Sequence, residues 1–255
     1  MEAQNPTGEL CPLNDRIGLS NDIGCARDGD TTAMNRLPLT IQKGHLFVGI
    51  AGEQWLIDTG APVSFGGSAG LSIGEERFQL GAGHRGITPA KLTEFIGVPC
   101  AGLLGGDVLN RFDHIFDLID GQLTLSTNEA AHDGAAVPLD DCLGIPIVTA
   151  RIGGRDFRMF FDTGAQISYL EPELLAGFPS LGDFVDFYPS HGRFTTQTHH
   201  VPLSLAGISF QLRCGSLPKM LSAAMSIAGT RGIVGNAVVC GRRVGYFPRR
   251  RLLVL

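Results

Sequence analysis

The chain contains no Cys-x-x-Cys and no His-Glu-x-x-His, so the common zinc signatures are missing and no metal or other cofactor is expected. No apolar run reaches the length that spans a bilayer, which leaves no membrane segment to expect. The N-terminus does not follow a basic stretch with an apolar one, so the signal-peptide pattern is absent and an intracellular protein is favoured. Six cysteines (11, 25, 100, 142, 214 and 240) are too sparse for a disulfide scaffold. Most are expected as buried thiols, although Cys11 and Cys25 could pair across a short loop in an oxidising compartment. Charged residues are also few, at 18 % against 44 % hydrophobic, the balance of a soluble globular protein.

Glycine and proline are plentiful. The 35 glycines and 14 prolines imply many turns, and hence short strands rather than long helices. The net charge of −5 is unevenly spread: residues 1–130 carry 8 basic and 16 acidic residues, residues 131–255 carry 12 and 9. The basic excess is mostly Arg242, Arg243, Arg249, Arg250 and Arg251, expected as a solvated hairpin rather than a nucleic-acid surface.

The chain is organised around Met159-Phe160-Phe161-Asp162-Thr163-Gly164-Ala165. An apolar triplet predicts a buried strand, and the glycine permits a tight turn after it. Asp162 is thereby delivered to a strand end with its charge near the interior, which is costly unless that charge is shared, bonded or used. Trp55-Leu56-Ile57-Asp58-Thr59-Gly60-Ala61 repeats the arrangement 104 residues earlier. Trp55 itself is expected in the core.

Residues 1–36 are polar and aperiodic and read as an N-terminal arm. A first unit follows over 37–127. It should contain strands at 45–50 and 54–57, a strand Leu71–Leu80, a short helix Pro89–Ile96, a buried Gly102-Leu103-Leu104-Gly105, and a hairpin closing on Leu123–Leu125. Residues 128–140 read as a linker, and a second unit over 141–255 repeats the order, with strands at 147–152 and 157–161. Leu203–Leu212 matches Leu71–Leu80 with five identities in ten positions, and Gly232-Ile233-Val234-Gly235 matches Gly102–Gly105. The 24 residues that start at Gly102 end at Leu125, and the 24 that start at Gly232 end at Leu255. The chain is a tandem duplication. His199-His200 reads as a solvated strand start.

With two Asp-Thr-Gly motifs, each followed by an apolar-apolar-Gly strand, the chain resembles the aspartic proteases, and the retroviral type more than the pepsin type. The likeness covers about residues 40–126 and 143–255 and is strongest from Ile147 to Glu171. It implies a mainly β, bilobal acid-protease fold of two retropepsin-like β-barrel lobes with the active site between them. It implies an aspartic endopeptidase acting on peptide or protein substrates, working as a monomer with pseudo-twofold lobes. Asp58 and Asp162 would be the catalytic pair, since two carboxylates in contact share one proton and can act together as base and acid. Thr59 and Thr163 would lock the two strands, and Gly60 and Gly164 would offer carbonyls to the substrate backbone. Ala61 and Ala165 stand where pepsins usually have serine, which should leave the pair with higher pKa values.

Between motif and matched segment the second half carries 28 residues more than the first, comparing 164–202 with 60–70. Phe184–Tyr188 and Arg193–Thr198 flank Pro189-Ser190-His191-Gly192, the pattern of a hairpin. A single flap from the second half is expected, with its tip near His191-Gly192. Tyr188 has two readings, substrate contact or packing. A rival to the enzyme also stands: a catalytically silent retropepsin-like module that binds peptide or a partner.

Overall fold

A computed structural model describes residues 34–188 and 192–255. The fold is mainly β. The first half runs β1 (Met34–Gln42), β2 (His45–Ile50), β3 (Glu53–Ile57), β4 (Phe65–Gly66), β5 (Gly70–Ile73) and β6 (Glu76–Gln79). Helix α1 (Pro89–Ile96), β7 (Gly102–Leu104), a short helix α2 (Gly106–Leu109), β8 (Asp113–Asp117) and β9 (Gln122–Ser126) complete it. The second half opens with β10 (Ala136–Pro138), β11 (Asp140–Cys142), β12 (Ile145–Ile152), β13 (Arg155–Phe161), β14 (Ser168–Leu170) and α3 (Pro172–Leu175). Then come β15 (Ser180–Tyr188), β16 (Gly192–Leu205), β17 (Ile208–Gly215), α4 (Lys219–Ile227), β18 (Gly232–Val234), β19 (Arg243–Phe247) and β20 (Leu252–Val254).

The larger sheet has the order β10-β20-β19-β8-β9-β1-β2-β3-β7-β4 and so takes strands from both halves. Its middle is symmetric. In the antiparallel pairing of β8 with β19, Ile115 faces Gly245 and Asp117 faces Arg243. Ile115 and Gly245 are 130 residues apart, the same offset as Gly102 and Gly232, so a local twofold axis passes between them. One hydrophobic cluster, from Leu46 and Phe116 to Val201 and Tyr246, continues across this join.

Several expectations change here. The strand before the first motif starts at Met34, inside the expected arm, because Met34–Pro38 pairs with β9. The 128–140 linker contains β10, whose Ala136–Pro138 pairs with β20. Val137-Pro138-Leu139 is in fact the duplicate of Leu37-Pro38-Leu39: Leu39 N–H donates to Gly121 O at 2.8 Å and Leu139 N–H to Arg251 O at 2.9 Å. Three residues are too few to declare a strand by periodicity. The expected strand Leu71–Leu80 is the hairpin β5–β6, and Leu203–Leu212 likewise turns at Ala206-Gly207. The two hairpins share a register, Leu71 facing Phe78 and Leu203 facing Phe210. His199 and His200 are not a solvated strand start. They lie within β16, half-buried, and His199 Nδ1 bonds the Phe178 carbonyl at 3.1 Å.

The C-terminal arginines lie on the β19–β20 hairpin, and Arg243, Arg249, Arg250 and Arg251 are exposed as expected, but three of them also hold carboxylates. Asp113 is fully buried and accepts from Arg249 Nη2 at 2.9 Å, Arg250 Nη2 at 2.6 Å and the Ala130 N–H at 2.9 Å. Arg243 pairs with Asp117 and, at 3.3 Å, with Asp120. Three arginines of the second half thus meet carboxylates of the first.

Helix α1 matches its expected bounds. Thr88 caps its start, its Oγ1 accepting from Lys91 N–H at 3.3 Å. Gly97, at φ 75°, ends it, and Leu92 and Ile96 are its buried face. Among the described residues no helix is long and apolar enough to cross a membrane.

Candidate active site

Each Asp-Thr-Gly loop is built the same way. β3 runs parallel to β7 and β13 parallel to β18, so the two carboxylates leave their sheets beside β7 and β18 respectively. Asp58 N–H donates to Leu104 O and Asp162 N–H to Val234 O, each at 3.0 Å. A side chain on Gly105 would strike Ala61 O at 2.6 Å, and one on Gly235 would strike Ile167 O at 2.5 Å. Only glycine lets the loop and strand approach so closely. Sequence reasoning overlooked Ser64 and Ser168, each six residues after its aspartate. Ser64 Oγ accepts from Gly105 N–H at 2.8 Å and Ser168 Oγ from Gly235 N–H at 3.1 Å. The signal was present as Asp-Thr-Gly-Ala-x-x-Ser in both copies.

The loops are then tied to each other. Thr59 N–H donates to Thr163 Oγ1 at 3.1 Å, and Thr163 N–H donates to Thr59 Oγ1 at 3.0 Å. Each hydroxyl donates onward across the junction, Thr59 to Phe161 O at 2.7 Å and Thr163 to Ile57 O at 3.0 Å. Both threonines are buried, so these four bonds form away from competing water. Gly60 packs on the Asp162 carboxyl and Gly164 on that of Asp58: a Cβ on Gly164 would lie 2.5 Å from Asp58 Cγ. Any larger residue would push the opposite carboxylate away.

Asp58 and Asp162 are consequently in hydrogen-bonding contact. Burial pushes Asp58 well above the ordinary carboxylate range; the neighbouring Asp162 charge and the bond to Asp162 push it further, against N–H bonds from Gly60 and Ala61. Burial also raises Asp162, while the bonds from Asp58, Gly164 and Ala165 oppose the rise. Gly60 N–H reaches Asp58 Oδ1 at 2.9 Å; Gly164 and Ala165 N–H reach Asp162 Oδ1 at 2.8 and 3.2 Å. Two negative charges this close repel strongly, and the pair retains a proton where isolated carboxylates have lost theirs.

The hairpin β15–β16 lies beside this pair. Tyr188 is half-buried on the cluster of Ile167, Tyr169 and Leu217, and its hydroxyl pKa is raised by burial and then by the Asp162 and Asp58 charges. Gly192 opens β16 opposite Tyr188, at φ 82°. His191 lies outside the described residues. Asp186 is buried, accepts the Tyr169 hydroxyl, and adds a further negative charge near Asp162. The hairpin also crosses to the first half. Phe187 stacks on Phe95 of α1 with ring centroids 4.9 Å apart, and Arg193 Nη2 donates to Glu94 O at 3.2 Å and Phe95 O at 3.0 Å. A guanidinium at the carboxyl end of a helix meets carbonyls that lack helical partners.

His45 is a further residue that no sequence pattern flagged. It is 2 % exposed, and its Nδ1 bonds the Gly164 carbonyl at 3.1 Å. Burial lowers its pKa, opposed by the Asp186 charge and the Gly164 bond. Trp55 is in the core, as expected. Two surface clefts, both bordered by Asn110 and Arg249, contain neither aspartate. The chain matches no protein-family model and no curated protein.

Proposed function

We propose that the chain is an aspartic endopeptidase with a bilobal, retropepsin-like arrangement, in which Asp58 and Asp162 together hydrolyse peptide bonds. The observation that carries this reading is the contact of two buried carboxylates, each presented by a duplicated loop and both fixed by the Thr59–Thr163 exchange. A binding module has no need of such a pair, whose burial is costly.

In this mechanism the pair holds one proton. The ionised carboxylate takes a proton from a water as its oxygen attacks the scissile carbonyl carbon, and the protonated one gives its proton to the carbonyl oxygen. The resulting gem-diol collapses: its hydroxyl returns a proton to the pair, the C–N bond breaks, and the leaving nitrogen takes a proton from the other carboxyl. One water is consumed, and the pair ends with the single proton it began with. Gly60 and Gly164 lie against the carboxylates, where an extended peptide backbone would pass. The β15–β16 hairpin serves as the single flap, excluding water from the reacting bond.

Both halves of the pair come from one chain, so the active form is a monomer. A twofold interface puts the same patch on both sides, and the duplication supplies both patches. The test is cleavage of a peptide library with and without a statine-type inhibitor. Inhibitor-sensitive cleavage supports the proposal; a folded chain that binds peptides and cuts none replaces it with the silent binding module.

A further inference from the structure

The two Asp-Thr-Gly loops are near copies, yet their surroundings are not. Each is bracketed by a hairpin turn from the opposite side of the molecule: Lys43-Gly44 by the second loop, Leu143-Gly144 by the first. Around the second loop, Asn236 Nδ2 bridges Gly44 O at 2.9 Å and Thr163 O at 3.3 Å. His45 Nδ1 reaches Gly164 O, and the Gln166 side-chain amide contacts His45 Nε2. Gln166 also packs on Gly44, where a Cβ would meet Oε1 at 2.6 Å. The equivalent places around the first loop hold Ile145 for His45, Pro62 for Gln166 and Gly106 for Asn236. None of these side chains can donate a hydrogen bond. Among the described residues no side chain donates to the Gly60 carbonyl.

The bonding fixes a tautomer. A carbonyl only accepts, so Nδ1 carries the proton; Nε2 then offers its lone pair to the Gln166 amide N–H. A buried imidazole with both nitrogens satisfied this way needs no charge. Phe187 of the flap hairpin closes over the ring at 5.8 Å, sealing it from solvent.

We propose that His45 is a positioning residue that gives the near-twofold site its polarity: its Nδ1–H holds the Gly164 carbonyl within the protein and leaves the Gly60 carbonyl as the acceptor for a peptide N–H. This rests on the peptidase reading. It makes Asp162 the aspartate whose loop is anchored, and it makes the two flanks of the scissile bond inequivalent.

Three measurements test it. Nitrogen-15 NMR of the imidazoles at neutral pH should show His45 protonated at Nδ1; an Nε2–H tautomer overturns the proposal. His45→Asn keeps a donor near the Nδ1 position, whereas His45→Leu keeps only the volume. The leucine variant should lose about tenfold in kcat with KM little changed, the scale of one hydrogen bond's effect, while the asparagine variant stays close to the wild type. Equal losses, or none, overturn it; should His45→Leu fail to fold, the tautomer and the asparagine variant decide. Finally, substrates with one N–H replaced by an ester oxygen, on one flank of the scissile bond or the other, should be impaired on one flank only. Equal impairment overturns the polarity. Failure of the peptidase reading looks different: the wild type shows the Nδ1–H tautomer, cleaves no peptide, and the directing role falls with it.

Discussion

Thr59 and Thr163 each donate a backbone N–H to the other's hydroxyl, at 3.1 and 3.0 Å, although 104 residues separate them. The exchange ties together the backbones of the two loops that carry the carboxylates. Removing one hydroxyl therefore strands a buried N–H and a carbonyl, both in the opposite half.

Thr59→Val or Thr163→Val should destabilise the fold by about 2 kcal/mol, the cost of leaving buried polar groups unpaired. Urea titration reads this as a lower midpoint at unchanged slope. Cleavage should fall more steeply than stability, because the hydroxyls align the carboxylates. A variant with reduced stability and wild-type kcat would show that alignment does not depend on them.

Asp58→Asn and Asp162→Asn should each abolish cleavage and leave the fold intact, since the proposed mechanism uses both carboxyls in one turnover. Their stability should carry a pH signature. The folded pKa of the pair is raised, so the native state holds a proton that the unfolded chain has lost. That contribution is complete below the unfolded value near 4 and is lost as pH rises through the folded values. Asp162→Asn should thus gain on the wild type as pH increases. Parallel stability curves for the two proteins would contradict the shared proton.

His114 acts in the opposite direction. It is fully buried, stacked on Phe116 and close to Tyr246, and burial lowers its pKa to about 4. Between that value and 6.5 the unfolded chain binds a proton that the native state refuses, so stability falls as pH drops through this window. The loss should reach about 3 kcal/mol at the acid end. His114→Phe, measured in the Asp162→Asn background to remove the opposing term, should flatten the slope between pH 4 and 6.5. An unchanged slope assigns the acid sensitivity elsewhere.

The hairpin's hold on α1 should be separable from folding. Arg193→Ala removes the bonds to the Glu94 and Phe95 carbonyls from an exposed side chain. Global stability should change by less than about 1 kcal/mol. Amide exchange in 184–188 and 193–198 should accelerate, and catalytic efficiency should fall. Unchanged exchange would mean that the Phe187–Phe95 stack alone holds the hairpin.

The sequence by itself determined what is local. An apolar triplet running into Asp-Thr-Gly specified a buried strand, a tight turn and a carboxylate at its end, twice, and Thr88-Pro89 with Gly97 set the bounds of α1. The apolar and β-favouring runs on either side of Pro189–Gly192 likewise specified the hairpin. What pattern could not specify was partnership between distant residues. Ala136–Pro138 is a strand only because β20 lies beside it, and the exposed Arg243, Arg249 and Arg250 find ion-pair partners only because Asp117 and Asp113 wait in the other half. His45 looks like any strand-opening residue until the fold sets the Gly164 carbonyl against its Nδ1. Local signals come from backbone geometry and side-chain periodicity, which a dozen residues encode. A hydrogen bond or ion pair across more than 100 residues depends on where two loops arrive, and only packing of the whole chain decides that.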